Sequence, residues 1–370
     1  MNKASRRIDV VLLVAVVALV AVGLVFVYGA SCYSAERAYG NKYYFLTKQA
    51  VGAAVGLACM VGCAFVPLTA VKKLWIAGVV VSAVLLALVF VPGIGIENYG
   101  AKRWIGFGGF SLQPSEIAKF AYVLFCAVYM SRADMSKPVS CIAPLCVGGV
   151  LCLLVIAEPN MSITVCLAAV MVALLYLGGV KAKYFVMLLV PLAAAMPILV
   201  FAEPYRVQRL LAFLNPWASP KGEGYQLIQS LYALGSGGWF GVGLFNGRQK
   251  YRFLPFAESD FVFAVIGEET GLVGCLVLFC LYATVIVRGV RIALNACDRF
   301  QMLFASGITA VIAVQSIVNF AVVTGSVPPT GLPLPFVSYG GTSLVVFMSA
   351  AGLLLNISKS CVEGRKRWIT

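Results

Sequence analysis

Hydrophobic residues run through this chain in long blocks broken by short polar stretches, without the one-sided stripe of a soluble helix. Ten blocks have the length of membrane-crossing helices: 8–30, 45–66, 72–92, 112–130, 141–157, 161–178, 184–201, 261–287, 302–323 and 341–358. A spanning helix needs about 20 mostly apolar residues. The pattern therefore predicts an all-α polytopic membrane protein of ten transmembrane helices. One large extracellular loop, 202–260, separates helices 7 and 8 within a single domain covering 1–370. The first block, Ile8–Tyr28, exceeds the roughly 7–15 residues of a signal-peptide core, and no cleavage-type stretch follows it, so it reads as a retained anchor.

Composition agrees: 61% of residues are hydrophobic and 11% charged, against roughly 25% charged in a soluble domain. The net charge of +14 is accounted for mainly by topology. With the N-terminus inside, the inner segments hold sixteen Lys and Arg: Lys3, Arg6, Arg7, Lys72, Lys73, Arg132, Lys137, Lys181, Lys183, Arg288, Arg291, Arg299, Lys359, Arg365, Lys366 and Arg367. The short outer loops and their span ends hold six. Positive charge accumulates on the cytoplasmic side, which puts both termini there and the large loop outside. No basic helix or aromatic-basic platform suggests nucleic acid, whereas membrane lipids or an anionic substrate suit the remaining charge. The chain has no histidine, which excludes His/Cys metal sites and Ser-His or Cys-His catalytic pairs. Its twelve cysteines lie mostly inside the blocks, without CxxC spacing, and only Cys32 falls in a clearly external loop.

Three stretches depart from plain spanning helix. In 104–116 a glycine-rich segment leads to a short block, Ile117–Met130, headed by Glu116 and Lys119, which share a helical face. Ser115 or Gln113 is placed to cap that helix, and a short span headed by a charge pair marks a cavity more often than lipid contact. The large loop carries a short amphipathic helix near 225–234. Eight glycines fall between Gly222 and Gly247, on both sides of that helix, which suit either tight turns or close approach of backbone N–H groups to a ligand. They match no nucleotide-binding motif. The cations Arg248, Lys250 and Arg252 precede Asp260, where the loop gives way to hydrocarbon, and Glu268 and Glu269 follow about 12 Å deeper in a helix. Acids below the membrane surface are costly, so each is a candidate functional group. The third stretch, Pro328–Ser343, combines prolines and glycines with apolar residues and no charge. Irregular backbone at membrane depth must be buried in protein or line a cavity, where Ser338, Tyr339 and Thr342 offer neutral hydrogen bonds.

These groups support a particular chemistry. A carboxylate beside cations can deprotonate an alcohol if the leaving group already departs as an anion, as a pyrophosphate does. A glycosidase needs two carboxylates to assist an alkoxide leaving group. Glycosyl transfer from a lipid pyrophosphate needs one base and a receiver of negative charge, either Arg and Lys or a divalent cation (Mg or Mn). No organic-cofactor motif is present. Residue spacing alone does not exclude a transporter with a proton-coupled acid.

Arg103-Trp104-Ile105 through Gln113-Pro114-Ser115-Glu116-Ile117-Ala118-Lys119 is one of four motifs that run in order along nearly the whole chain. The others are the Gly-Ser-Gly-Gly-Trp-Phe-Gly-Val-Gly run, Glu258-Ser259-Asp260-Phe261 through Glu269, and Leu332-Pro333-Leu334-Pro335-Phe336-Val337-Ser338-Tyr339-Gly340-Gly341. Together they resemble the SEDS (shape, elongation, division and sporulation) family, nearer its FtsW and SpoVE members than RodA. The resemblance implies a peptidoglycan glycosyltransferase that polymerises lipid II (undecaprenyl-pyrophosphoryl disaccharide-pentapeptide) at the outer face of the bacterial cytoplasmic membrane. It implies a class B penicillin-binding protein as partner and a place at the division septum. By motif, Asp260 matches the proposed general base, Glu116 and Lys119 the pair lining the central cavity, and Arg103 the arginine before the tryptophan. Lys250, Arg252, Ser338 and Tyr339 complete the expected substrate-binding set, with no metal ligand among them. Two positions depart from the family: Glu258-Ser259 replaces the usual His-Thr, and Glu158-Pro159-Asn160 stands where an aspartate is usual. A lipid-precursor flippase and a non-catalytic division scaffold are the alternative readings.

Overall fold

The structure, a computed structural model, describes residues 8–360 apart from 99–100, 108–109 and 202–203. Lys3, Arg6, Arg7, Arg365, Lys366 and Arg367 of the charge count lie outside the described residues. The helices are α1 (Val10–Tyr39), α2 (Tyr44–Phe65), α3 (Leu68–Lys73), α4 (Trp75–Leu88), α5 (Pro114–Arg132), α6 (Pro138–Ala157) and α7 (Met161–Leu177). After them come α8 (Ala182–Phe201), α9 (Pro204–Leu214), α10 (Tyr225–Gly237), α11 (Val262–Leu294), α12 (Arg299–Val323) and α13 (Gly341–Ser358). Each expected block falls on a helix. Six of these (α1, α2, α6, α11, α12 and α13) are long and apolar enough to cross a membrane, while α4 and α7 are apolar but shorter. A count of ten crossings stays an expectation of the hydrophobic pattern.

Burial sorts the helices into a centre and a rim. Along α5 nearly every residue from Pro114 to Met130 is buried, including Glu116 and Lys119, as expected of a helix packed on all sides. Its neighbours are α4 and α12, and α12 in turn packs on α7 and α11. On the rim, α2, α4 and α6 expose Val51, Val55, Val80, Val84, Ile142 and Leu153, an apolar surface suited to hydrocarbon. The contact between α2 and α13 is the most extensive in the bundle. Small residues allow it: a Cβ at Gly352 would lie 2.3 Å from the Met60 carbonyl oxygen.

The sequence pattern missed three features. Helix α1 continues to Tyr39, so Cys32 sits on a helix rather than in a loop. Between α4 and α5 lies an antiparallel sheet of β1 (Gly95–Asn98), β2 (Ala101–Phe107) and β3 (Phe110–Leu112), with Gly95 opposite Ile105 and Ile105 opposite Leu112. Its few short strands are outweighed by glycine in the sequence, and cross-strand pairing supplies what propensity does not. Finally, α11 is broken at Gly271, whose φ of 66° and ψ of −163° are reachable only without a side chain.

The two ends of the bundle differ. At one end Asp9 caps α1, accepts from Leu12 N at 3.0 Å and pairs with Arg288 at 2.6 Å, while its own N–H donates to Ser358 Oγ at 3.1 Å. The start of α1, the far half of α11 and the end of α13 are tied together there. The large loop, the sheet and the irregular stretch before α13 gather at the opposite end.

Candidate active site

Asp260 sits two residues before α11, with its backbone fixed from both sides. The Asn319 side-chain amide on α12 donates to the Asp260 carbonyl at 2.9 Å and to the Leu332 carbonyl at 2.7 Å. Ser338 Oγ donates to the Ser259 carbonyl and accepts from Leu334 N, and Tyr339 N donates to the Glu258 carbonyl at 2.9 Å. Gly331 lies so close that a Cβ there would be 3.2 Å from Asp260 Oδ2, and its φ of +69° favours glycine as well. Gln49, buried on α2, holds the same stretch by donating to the Ser338 carbonyl at 3.0 Å and accepting from Gly340 N at 3.2 Å. Ser338 and Tyr339 thus position the catalytic candidate through its neighbours' carbonyls.

Asp260 keeps partial surface exposure yet is densely surrounded by protein. Burial, and then the nearby Glu258 carboxyl, push its pKa up from 3.8 to about 6, while Arg103, Arg209 and the Ser259 hydroxyl pull the other way. The same burial raises Glu258. The group is therefore a carboxylate at neutral pH and a better base than a free aspartate.

Directly beneath the irregular stretch, Lys119 pairs with Glu116 at 2.9 Å, both fully buried. Lys119 also donates to Gln315 Oε1, and the Gln315 amide donates to the Pro333 carbonyl at 2.9 Å. Glu116 Oε2 accepts from Ser343 Oγ at 3.2 Å. The pair and Asp260 are therefore joined through Gln315 and Asn319, four apart on one face of α12. Neither expected cap forms on α5: Gln113 occupies the capping position without a side-chain bond, and the Ser115 hydroxyl is buried without a partner.

The deeper acids serve a different purpose. Glu268 accepts from Arg248 N at 2.8 Å and Gln249 N at 3.3 Å, and Glu269 accepts from Phe245 N at 3.0 Å. Because α11 breaks at Gly271, carbonyls before the break need outside donors. Val242 N and Gly243 N supply them to Glu268 and Glu269, at 3.0 and 3.1 Å. A Cβ at Gly241 would lie 2.2 Å from the Glu269 carbonyl oxygen, so glycine there permits docking onto α11. Lys250, expected in the substrate clamp, is buried with its ammonium on the Phe245 carbonyl and 3.7 Å from Glu269. Arg252 is exposed on a residue with φ of +72°.

The cations whose fields reach Asp260 are instead Arg103 and Arg209. Arg103, on β2, donates to the Glu158 carbonyl at 3.3 Å and the Pro159 carbonyl at 2.5 Å, which ties the sheet to the turn between α6 and α7. In that turn the Glu158 side chain is fully buried, neither carboxyl oxygen has a partner, and burial pushes its pKa up to about 8. Arg209, on amphipathic α9, donates to the Pro329 carbonyl at 3.4 Å and lies 3.6 Å from Glu223. Among the described residues no three Asp, Glu or Cys side chains converge into a dedicated cation cage. Mg and Mn are commonly held by one or two carboxylates together with substrate phosphates, and that arrangement needs no such cluster. Sequence reasoning missed Gln49, Arg209, Gln315 and Asn319. Amides at 315 and 319 inside an apolar span were the available signal.

A family model described as a cell cycle protein, covering FtsW, RodA and SpoVE, matches residues 10–362. The chain is 38% identical over 359 residues to a probable peptidoglycan glycosyltransferase FtsW of Geobacter metallireducens, covering 96% of each chain. It is 36% identical to the stage V sporulation protein E of Bacillus subtilis, covering 95% of this chain and 97% of that one. Its fold is similar, at a TM-score of 0.80 and 28% identity, to a chain solved in work on the structural coordination of polymerization and crosslinking by a peptidoglycan synthase complex. That match covers 95% of this chain and 97% of the other. With nearly its full length matched, and with the quoted motifs meeting at one end of a helical bundle, the chain belongs to the FtsW/RodA/SpoVE family.

Proposed function

We propose that the chain is a peptidoglycan glycosyltransferase that polymerises lipid II at the outer face of the bacterial cytoplasmic membrane. The observation that carries the reading is Asp260, a crowded carboxylate within the fields of Arg103 and Arg209, with its backbone held by Asn319. In the reaction Asp260 takes the proton from the acceptor sugar's 4-hydroxyl as that oxygen attacks the donor's anomeric carbon. The bond to the undecaprenyl diphosphate breaks on the opposite side, so configuration inverts. The departing diphosphate carries its own charge away, and Arg103 and Arg209 stabilise it electrostatically. Glu116 and Lys119, through Gln315 and the Pro333 carbonyl, hold the stretch that lines the base.

This reading orients the bundle with Asp260 and the large loop outward and both termini in the cytoplasm, as the charge distribution favours. A class B penicillin-binding protein is the partner expected at the septum, supplying the crosslinking step. The test is lipid II polymerisation by the purified chain in detergent, with and without that partner. Asp260→Asn is expected to cost roughly 10²-fold or more, and near-normal glycan synthesis by the variant removes Asp260 from the mechanism. Detergent has no sides, so a flippase yields no polymer in this assay. A scaffold tolerates Asp260→Asn without consequence.

A further inference from the structure

At the end of the bundle opposite Asp260, a cavity of about 440 Å³ is lined by Thr69, Lys72, Lys73, Trp75 and Arg132. Short α3 ends in Lys72 and Lys73, α4 begins with Trp75, and α5 ends at Arg132. Three of the five lining side chains are cationic. Among the described residues none of the three pairs with a carboxylate; the ion pairs at this end join Arg288 to Asp9 and Lys137 to Asp134. The contacts that Lys72 and Arg132 do make are aromatic. Lys72 Nζ lies 5.0 Å from the Phe300 ring centre, and the Arg132 guanidinium lies 5.8 Å from that of Trp75. Trp75 stacks on Phe125 at 5.5 Å, and Phe125 on Tyr129 at 5.9 Å. The aromatic wall holds Lys72 and Arg132 at the cavity without neutralising them.

Beside the cavity lies an apolar surface. From Trp75 onward α4 turns Ile76, Val80 and Val84 outward, each more than half exposed. The combination is a cationic pocket continued by a bare hydrocarbon face, with a tryptophan at the junction where membrane interfaces place one. A soluble anion uses only the pocket, and an apolar chain only the face. We propose that this cavity binds the phosphate headgroup of an anionic phospholipid, with the phosphodiester among Lys72, Lys73 and Arg132 and the acyl chains along α4. The site is separate from the sugar chemistry and stands whether or not that reading holds.

The experiment uses the full chain purified in mild detergent. It measures lipid retained after washing, with phosphatidylglycerol and phosphatidylcholine of identical acyl chains offered in equal amounts, and with inorganic phosphate as competitor. Each cation near anionic headgroups is worth about fivefold in affinity, so wild type is expected to prefer phosphatidylglycerol at least tenfold. The K72Q/K73Q/R132Q variant should bring the preference close to one. K73Q and R132Q alone, at exposed side chains that folding tolerates, should each lower it several-fold. K181Q/K183Q, which removes two other charges at the same end, should leave it unchanged. A preference that survives the triple variant, or falls equally in K181Q/K183Q, overturns the proposal. Displacement of phosphatidylglycerol by millimolar inorganic phosphate assigns the cavity to a soluble anion and overturns it too.

Discussion

Asp260 is expected to weaken the fold it belongs to. Its folded-state pKa of about 6 stands above the 3.8 of an unperturbed aspartate because burial disfavours the charged form. Between those values the folded chain binds a proton that the unfolded chain has released, so stability falls as pH rises and levels off above about 6. At 1.36 kcal/mol per pKa unit the penalty at neutral pH is about 3 kcal/mol, less whatever solvent screens through the exposed part of the side chain. Asp260→Asn removes the titration while keeping the shape. In detergent at pH 7.5 the variant should unfold a few degrees above wild type, with most of that gain gone at pH 4. Glycan synthesis by wild type should lose half its rate near pH 6 on the acid side, because only the carboxylate accepts the proton. Glu258→Gln should move that limb to lower pH by removing a neighbour that raises Asp260. A thermal midpoint for Asp260→Asn equal to or below wild type at pH 7.5, or a gain of the same size at pH 4, refutes the reasoning.

Lys119→Met leaves Glu116 buried without its cation, a loss of about 3–5 kcal/mol; adding Glu116→Gln should recover much of it, read as thermal midpoints in a double-mutant cycle. Gly331→Ala places a Cβ 3.2 Å from Asp260 Oδ2 at a φ of +69°, costing about 1–2 kcal/mol and lowering polymerisation more than it lowers expression. Glu158 has a folded pKa of about 8 against 4.5, so stability is lost as pH climbs through that window. Glu158→Gln should therefore stabilise increasingly from pH 4.5 to 8 and no further above it, which thermal scans across pH will check.

The membrane helices were legible because burial in hydrocarbon demands only apolar residues, and long apolar runs record that demand directly. Asp260, Glu116 and Lys119 stood out as candidates for the converse reason, since a charge at such a depth is costly to place there. The partners were not legible. Lys250 reads in sequence as one of three cations ahead of Asp260, and nothing local reveals that it turns toward Glu269. Arg209 lies far from Asp260 in sequence, and only the packing of α9 beneath Pro329 brings its charge into range. Glu268 and Glu269 looked like chemistry because they are acids at depth. They are satisfied by backbone N–H groups of a loop whose return path is a tertiary fact.

The discontinuity at Gly271 has a mechanical consequence. Leu272 N and Val273 N donate to the carbonyls of Gly238 and Trp239, while Val242 N and Gly243 N donate back across the gap. The outer segment of α11 and the loop therefore form one stitched body, which cannot swing apart without exposing bare peptide groups to lipid. A pull applied to the loop is carried across that seam into the first segment of α11, so the two move as a unit while Asn319 holds the Asp260 backbone to α12.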